Sequence, residues 1–196
     1  MTGTGHEPGV VIRDAGDGDL EAVLAIYAHH LLTGLASFEE EPPDLAEIAR
    51  RRDAVVALGL PYLVAARAGV VSGFAYAGPF RPRPAYRNTV ENSVYVAPDA
   101  AGSGLGRLLL GALVERCSAA GYRQMVAVIG DSQNEASIAL HAAMGFRHIG
   151  VLSSTGFKFG RWVDTVLMQR SLGQGDTTLP GSHSKDRAGQ KKEGRD

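Results

Sequence analysis

The spacing of hydrophobic and polar residues predicts an alternation of strands and helices along the chain. After Asp17 and Asp19, either of which can cap a helix, apolar residues recur at helical intervals from Leu20 to Leu31, which is typical of a helix with one buried face. A short strand is predicted before it, at residues 10–13. The later segments follow the same two periodicities: a helix at 43–59, two strands about a turn near Gly69 within 61–79, a strand at 89–98, a helix at 105–120, a strand at 123–130, a helix at 132–145, and strands at 146–157 and 162–170. This mixed order indicates an α+β fold rather than a doubly wound sheet.

Length and charge limit the classes of function. The 196 residues are 44% hydrophobic, which is enough for one buried core but short for two domains of ordinary size. With 20 basic and 21 acidic residues, the chain has no overall field that favours nucleic acid or an anionic membrane. No run approaches the roughly 20 apolar residues that span a bilayer, and the first nine residues lack the segments of a secretory leader. We therefore expect a soluble protein with no nucleic-acid and no membrane partner.

Cysteine and histidine usage argues against a metal centre. Cys117 is the single cysteine and falls within an apolar helical pattern, which excludes an internal disulfide and a thiolate cluster. The six histidines show no metal-ligand spacing. We expect no metal and a cytoplasmic location.

The composition changes at Gly173. From there the chain is glycine-rich and charged, with Leu179 as its one large apolar residue, so it cannot bury enough surface to offset its ordering entropy. The basic cluster at Lys191 and Lys192 could contact nucleic acid, but a solvated tail is the interpretation that we adopt. We predict one domain over residues 1–172 and a disordered polar tail over residues 173–196.

A glycine cluster joins the strand at 89–98 to the next helix. Gly102, Gly104 and Gly106 let successive backbone amides point into one concavity at the helix start, an arrangement that binds phosphate. A P-loop would need Lys and then Ser or Thr where Arg107 and Leu108 stand. A dinucleotide-binding Rossmann unit would need G-x-G-x-x-G after an early strand, not G-x-G-x-G in mid-chain. On the loop alone, phosphate binding and a plain strand-to-helix turn are equally good interpretations.

The sequence around this loop resembles the GNAT N-acetyltransferases. The stretch VAPDAAGSGLGRLLL is similar to the pyrophosphate-binding segment of that family, with Ala101 where Arg or Gln is usual. Four further blocks resemble the phosphinothricin and methionine sulfoximine acetyltransferase branch: AYAGPFRPRPAYRNTVENSVYV, MVAVIG, QNEASIALHAAMGF and GFKFGRWVDTVLMQR. The resemblance covers about residues 10–172. It implies a mixed sheet of about seven strands, splayed at the cofactor site and flanked by about four helices.

The resemblance also implies acetyl-CoA as co-substrate, a small-molecule amine as acceptor and a homodimer. The implied cofactor-binding residues are Val94, Tyr95, Val96, Gly102, Ser103, Gly104, Leu105, Gly106, Arg107, Asn134 and Ser137. Independently of the family, Asn134, Ser137 and His141 fall at i, i+3 and i+7 of one helix and so share a face. Simple solvent exposure of this polar stripe is the alternative.

Glu91 is the candidate general base. It stands in the middle of an apolar strand, where a carboxylate is costly unless it is paired or used. Strand alternation places it on one face with Ser93 and Tyr95 if no bulge intervenes, and burial would raise its pKa towards the working pH of a base. An ion pair with Arg87 or exposure at a sheet edge is the alternative. The resemblance places the family's catalytic glutamate at Glu91 and its active-site histidine at His141.

Substrate selection rests on the resemblance, which implies a pocket lined by Phe38, Arg81, Arg83, Tyr86 and Lys158. Cationic donors there suit the carboxylate and the second polar head of a phosphinate or sulfoximine amino acid. The alternative for Arg81 and Arg83 is that they are solvated loop charges.

Two departures from the family pattern keep a second class of function open. Ala101, and Leu110 where close relatives carry tyrosine, favour a module that binds CoA without turnover, whereas the catalytic set named above favours an enzyme. Leu110 also leaves the proton donor to the departing thiolate open among Tyr95, His141 and water. We expect an acetyl-CoA-dependent N-acetyltransferase that acts on a small amino acid or antimetabolite by direct transfer, with a protein N-terminus or a polyamine as the alternative acceptor.

Overall fold

The computed structural model describes residues 9–180, which form one seven-stranded sheet with two helices on each face. The strands are β1 Val11–Asp14, β2 Tyr62–Arg67, β3 Val70–Pro79, β4 Thr89–Val96, β5 Gln124–Gly130, β6 Arg147–Lys158 and β7 Arg161–Ser171. The helices are α1 Leu20–Thr33, α2 Leu45–Ala57, α3 Leu105–Ala119 and α4 Glu135–Ala143. The type and order of these elements confirm the predicted α+β fold.

The sheet has the strand order β1-β2-β3-β4-β5-β7-β6. All neighbouring pairs are antiparallel except β4 and β5, which are parallel. The β4–β5 ladder runs only from the pair Thr89 and Gln124 to the pair Asn92 and Ala127. Because β4 continues to Val96, its second half has no partner on the β5 side, and the sheet opens there.

The register between β3 and β4 fixes which β4 side chains face which helices. Phe74 pairs with Tyr95 and Gly78 pairs with Glu91, without an interruption between them. Tyr95 and Phe74 belong to the aromatic cluster under α1 and α2, whereas Val90 packs in the core under α3. Successive side chains of a strand alternate between faces, so Glu91 lies on the α1 and α2 face.

The C-terminal segment after β7 packs against Arg123. The Arg123 guanidinium donates hydrogen bonds to the carbonyl oxygen atoms of Gly175, at 3.2 Å, and Leu179, at 2.7 Å. Residues 173–180 therefore contact the sheet end, although the predicted tail begins at Gly173. The rest of that tail, residues 181–196, lies outside the described residues, and a domain limit at residue 172 stays a prediction.

Residues 9–180 contain neither a membrane-spanning helix nor a cluster of metal-ligand side chains. No helix there is both long and apolar enough to cross a membrane. No group of three or more His, Cys, Asp or Glu side chains in that range is placed to hold a metal ion.

Candidate active site

The opening between β4 and β5 forms the centre of the candidate site. A small cavity of about 60 Å³ lies there, lined by β4, β5, α4 and the loop after α1. Ala97 donates its amide to Ser72 O at 2.9 Å, across to the β3 side. By strand alternation the amides of Val94 and Val96 then point the other way, into the opening. The amides of Val94 and Val96 are thus available to an extended ligand, and the predicted contact of Val94 to Val96 with a cofactor stays a prediction.

His30 of α1 also reaches this strand, a contact that the sequence analysis missed. Its Nε2 atom lies 2.7 Å from Val96 O, and its ring is 5.6 Å from that of Tyr95. The neutral Nε2–H form can donate to this carbonyl, so His30 ties α1 to the end of β4. The two residues are 66 positions apart, and no local pattern in the sequence connects them.

The glycine loop adopts the backbone expected of an anion-binding nest. Gly102 has φ 74° and Gly104 has φ 84°, conformations that glycine adopts without strain. Gly104 is the N-cap of α3. In the described part of the chain, the amides of Gly104, Leu105 and Gly106 donate to no protein acceptor. These amides and the positive end of the α3 dipole favour an anion at this place.

Ser103 and Gly106 of the glycine loop make different contacts with the rest of the protein. Ser103 donates its hydroxyl to Ala100 O at 2.5 Å, which closes the turn. Gly106 lies inside α3, and a Cβ atom there would lie 3.2 Å from Leu140 Cδ2. Glycine at this position therefore lets α3 approach α4, while the Gly106 amide stays free, among residues 9–180, at the start of the helix.

Glu91 lies on β4 beside the opening, half-buried. Burial raises the pKa of its carboxyl group, and the positive charge of Arg81 opposes that shift. Within residues 9–180 the carboxylate makes no ion pair and no hydrogen bond, and the Arg87 guanidinium instead donates to Pro84 O at 3.2 Å. The structural alternative of an Arg87 ion pair is thus not formed, and the Glu91 carboxylate is available to a ligand.

His141 lies on the other side of the sheet from Glu91 and is buried, with 4% of its surface exposed. Its Nε2 atom is 3.0 Å from Asn92 Oδ1, and its Nδ1 atom is 2.8 Å from Ser137 O. Burial lowers the pKa of the ring, and the Ser137 carbonyl opposes this shift. Because both ring nitrogens already face protein acceptors, this arrangement favours a positioning role for His141 over direct proton transfer.

Asn134 and Ser137 join His141 at the edge of the same cavity. Asn134 is the N-cap of α4, and its side-chain oxygen accepts the Ser137 amide at 3.2 Å. Ser137 Oγ is 3.4 Å from His141 Nδ1. The predicted shared face of these three residues is therefore formed, and it faces the opening rather than solvent alone.

The proline-rich loop carries Arg81, Arg83 and Tyr86 close to β3. The Arg81 guanidinium lies 4.9 Å from the centre of the Phe80 ring, and the Tyr86 ring contacts Phe80 edge-to-face at 5.8 Å. Arg81 is near enough to influence Glu91. Arg83 directly precedes the short turn Pro84–Tyr86 and is exposed. The Glu91 pKa is lowered by the charge of Arg81 but not by that of Arg83.

The structure does not place Lys158 in the substrate pocket, where it was predicted to lie. Only 2% of its surface is exposed, and its ammonium donates to the carbonyl oxygen atoms of Leu31 and Ser37, both at 2.7 Å. Burial lowers the pKa of Lys158. The ammonium therefore holds the loop between α1 and α2 rather than facing a ligand.

That loop carries Phe38, whose ring packs on Gly130 of β5 and Gly156 of β6, two strands that are separated by β7. A Cβ atom on Gly156 would lie 2.8 Å from the ring, and one on Gly130 would lie 3.4 Å from it. The ring is 42% exposed. Phe38 thus packs against the end of β5 and stays partly exposed, and its place in an acceptor pocket stays a prediction.

Leu110 and Tyr95 bear on the proton donor to a leaving group. Leu110 is fully buried in the core under the sheet, so it contributes no polar atom. Burial raises the pKa of Tyr95 well above its usual value, and its hydroxyl therefore stays protonated at neutral pH.

Comparisons with known proteins agree with this geometry. Residues 24–146 match the model of the acetyltransferase (GNAT) family. The chain is 60% identical over 169 residues to a phosphinothricin N-acetyltransferase of Alcaligenes faecalis, covering 86% of each chain. It is 48% identical over 162 residues to an L-methionine sulfoximine/L-methionine sulfone acetyltransferase of Pseudomonas paraeruginosa, covering 82% of this chain and 94% of that protein.

A solved structure has the same fold. The phosphinothricin acetyltransferase of Sinorhizobium meliloti, in complex with acetyl-CoA, superposes with a TM-score of 0.86 at 48% identity, covering 88% of this chain and 94% of that one. The family model spans more than half of the chain, and both curated relatives exceed 30% identity over most of it. The protein is therefore a member of the GNAT acetyltransferase family.

Proposed function

We propose that this protein transfers the acetyl group of acetyl-CoA to the amino group of a small amino acid of the phosphinothricin or methionine sulfoximine type. The observation that carries the proposal is the half-buried Glu91 carboxylate, which stands unpaired beside the opening in the sheet with Arg81 near it. Similarity to relatives named for these two substrates supports the substrate class. Such acetylation would neutralise the amine of an antimetabolite, which is a route to resistance.

The second half of β4 and the glycine loop suit acetyl-CoA. The free amides of Val94 and Val96 would pair with the pantetheine arm as an added strand. The nest at Gly102 to Gly106 and the α3 dipole would hold the pyrophosphate. Asn134 and Ser137 line the cavity beside the second half of β4 and would contact the pantetheine arm. Ala101 costs little in this arrangement, because backbone amides supply the phosphate contacts.

The reaction needs one base and one acid. The amine loses a proton to Glu91, directly or through water, and its nitrogen attacks the thioester carbon. A C–N bond forms, the C–S bond breaks, and the thiolate of CoA takes a proton from Tyr95 or water. Burial of Cys117 in the core supports direct transfer, because burial raises the pKa of its thiol and so disfavours a thiolate that could carry the acetyl group.

Arg81, Arg83, Tyr86 and Phe38 would form the acceptor pocket. A guanidinium binds a carboxylate or phosphinate through paired charge-assisted hydrogen bonds. Arg81 is the stronger candidate of the two arginines, because it acts on the Glu91 charge. Lys158 supports this pocket indirectly, through the loop that carries Phe38.

A homodimer accounts for the exposed apolar residues of β6 and β7. The exposed residues there are Ile149, Val151, Leu152, Phe157 and Trp162. Several exposed apolar residues on two paired strands are typical of an interface, and the resemblance favours a second copy of the chain. Light scattering of the purified protein tests this part, with a monomeric mass as the contrary result.

One assay separates the enzyme from a module that binds CoA without turnover, which Ala101 and Leu110 favour. Thiol release from acetyl-CoA is followed with phosphinothricin, methionine sulfoximine, methionine sulfone, common amino acids, a polyamine and a peptide amine. We expect amine-dependent release of CoA, fastest with the first three. Tight acetyl-CoA binding without amine-dependent release would assign the chain to the non-catalytic class, and faster release with the last two would change the acceptor.

A further inference from the structure

The loop between β5 and α4, residues 131–134, carries Asn134 to the edge of the small cavity in the sheet. Asn134 lines that cavity together with Ser137. Its side-chain oxygen accepts the Ser137 amide at 3.2 Å, and its Nδ2 lies 3.5 Å from Gly130 O. Because the oxygen faces an N–H donor, Nδ2 is the atom of this side chain that can donate to a ligand. The residues that hold the loop therefore decide where this donor points.

Asp131 begins the loop with a left-handed backbone conformation. Its φ is 71°, which is unfavourable for a residue with a Cβ atom, although Asp and Asn adopt it more readily than most. Glycine would adopt the same conformation without strain. An aspartate in this place therefore indicates that its carboxylate is used.

The Asp131 carboxylate makes two contacts that fix the loop. Its Oδ1 accepts the Gln133 amide at 3.1 Å, which closes a turn. Its Oδ2 accepts a hydrogen bond from Arg161 of β7 at 2.9 Å, and only 19% of the Asp131 side chain is exposed. The backbone carbonyl of Asp131 accepts the Asn134 amide at 3.0 Å. Asp131 is thus joined to β7 through its side chain and to Asn134 through its backbone.

Asp164 of β7 binds the same loop at two further points. Its carbonyl oxygen accepts the Asp131 amide at 2.9 Å, and its Oδ2 accepts the Ser132 hydroxyl at 2.8 Å. Its Oδ1 accepts the amide of Ser154 in β6 at 2.9 Å. The hydrogen bonds from Ser154 and Ser132 lower the pKa of the Asp164 carboxyl group, so it stays ionised at neutral pH. Two residues of β7, Asp164 and Arg161, therefore hold the loop.

We propose that Asp131, held by Arg161 and Asp164, is a positioning residue that directs the Asn134 amide towards the pantetheine arm of acetyl-CoA. The inference rests on the proposed function, because it takes Asn134 as a contact of that arm. Asp131 is absent from the lining of the cavity, so it acts through Asn134 rather than on the ligand. Loss of Asp131 should then weaken the ligands that possess the arm and leave the others unchanged.

Titration calorimetry of the full chain with CoA and with adenosine 3′,5′-bisphosphate tests this. The bisphosphate keeps the adenosine and two phosphates of CoA but lacks the pantetheine arm. Asp131→Gly permits the left-handed backbone and removes both contacts of the carboxylate, so CoA affinity should fall about threefold to tenfold while bisphosphate affinity is unchanged. Asp131→Asn keeps an acceptor for Gln133 and loses only the ion pair, so its loss should be smaller. Arg161→Met leaves the loop sequence intact and should match Asp131→Asn.

A double variant tests whether Asp131 acts through Asn134. Asn134→Ala removes the amide donor, so adding Asp131→Gly to it should cause no further loss of CoA affinity. Asp14→Asn is the matched control, because it breaks an exposed ion pair with Arg116, at 3.3 Å, that joins β1 to α3. This control should leave both affinities unchanged.

Four results would contradict the inference. Unchanged CoA affinity in both Asp131→Gly and Arg161→Met overturns it. An equal loss for both ligands also overturns it and assigns the loop to general stability. Losses that add in the double variant show that Asp131 acts independently of Asn134. A wild type that binds CoA no more tightly than the bisphosphate gains nothing from the arm.

The thiol-release assay separates a failure of this inference from a failure of the proposed function. Amine-dependent release of CoA by the wild type supports the proposed function, whichever of the four results is found. A wild type that binds neither ligand and releases no thiol overturns both.

Discussion

Nε2 of His141 lies 3.0 Å from Oδ1 of Asn92, which joins α4 to β4 at the point where β4 separates from β5. Asn92 also donates its Nδ2 to Val126 O of β5 at 3.1 Å. Since that carbonyl can only accept, the Asn92 oxygen must face His141, and Nε2 carries the proton. The hydrogen bonds thus connect β5, β4 and α4 at the edge of the opening in the sheet.

We expect His141 to support the site through Asn92. His141→Phe leaves the buried Asn92 oxygen unpaired, which should cost about 1–3 kcal/mol of stability and raise the KM for acetyl-CoA. His141→Gln can still donate to Asn92 and should retain most turnover, with the pH profile of kcat unchanged in shape. If His141→Gln removes one limb of that profile, His141 transfers a proton directly.

His141 should also make the free energy of unfolding depend on pH. The pKa of His141 is lowered from its ordinary value of 6.5 by burial, so the unfolded chain binds more protons than the folded one in acid. Its contribution to stability is therefore present above about pH 6.5 and is lost as the pH falls through the lower folded value. Thermal unfolding across this range should show a smaller acid loss in His141→Gln than in the wild type. Equal slopes in the two proteins would contradict this.

Glu91 should control the pH dependence of turnover. Glu91→Gln keeps the size of the side chain and removes its basicity, so kcat should fall by roughly 10² to 10⁴ while acetyl-CoA binding persists. The active form is the carboxylate, and burial raises its pKa, so the wild-type rate should rise with pH through that raised value. Arg81 opposes the shift, and Arg81→Met should move the rising limb to higher pH. Near-native turnover in Glu91→Gln would make Glu91 a structural residue.

Substitutions at Gly104 and Gly106 should impair the protein for different reasons. Gly104 has φ 84° with no atom near its missing side chain, so Gly104→Val should mainly raise the KM for acetyl-CoA by distorting the nest and blocking its amides. At Gly106 a side chain would meet Leu140, so Gly106→Ala should lower the thermal midpoint, and the added change Leu140→Ala should recover part of that loss. A rise in KM without any loss of stability in Gly106→Ala would instead place that residue against the phosphate.

Local periodicity in the sequence predicted the secondary structure and the face of the sheet on which Glu91 lies. Contacts between residues that are far apart in the chain could not be predicted in this way. The face of Glu91 followed from alternation because β3 and β4 pair without a bulge. Lys158 could not be placed in that way, because the β6 register shifts between Leu152 and Gly156 and each shift changes the face of the residues that follow. Its hydrogen-bond partner Leu31 is 127 positions away. The packing reason for Gly106 also needs the position of Leu140, which no spacing rule supplies.

Lys158 should act on the acceptor site through the loop between α1 and α2. Lys158→Met keeps the apolar stem but leaves the carbonyl oxygen atoms of Leu31 and Ser37 without their donor, which should cost about 1–3 kcal/mol for each group that stays buried. The KM for the amine should rise more than the KM for acetyl-CoA, because the loop carries Phe38. Gly156→Ala should give the same split by displacing the Phe38 ring, and Gly156→Ala with Phe38→Ala should relieve the clash. Equal changes in both KM values would assign Lys158 to general stability.

Arg81 and Arg83 should determine preference for anionic acceptors. If they contact a carboxylate or phosphinate, Arg81→Ala with Arg83→Ala removes charge-assisted hydrogen bonds worth about 1.5–3 kcal/mol each, less where water enters. An uncharged amine has no group for these arginines and should be used as well as before, while acetyl-CoA affinity stays constant. The deciding quantity is the ratio of kcat/KM for phosphinothricin to that for the uncharged amine. Because Arg81 also lowers the pKa of Glu91, the ratio is compared at a pH above the rising limb of both proteins, where the base is ionised in each. A ratio that is the same in wild type and double variant would leave both arginines as solvated charges of the proline-rich loop.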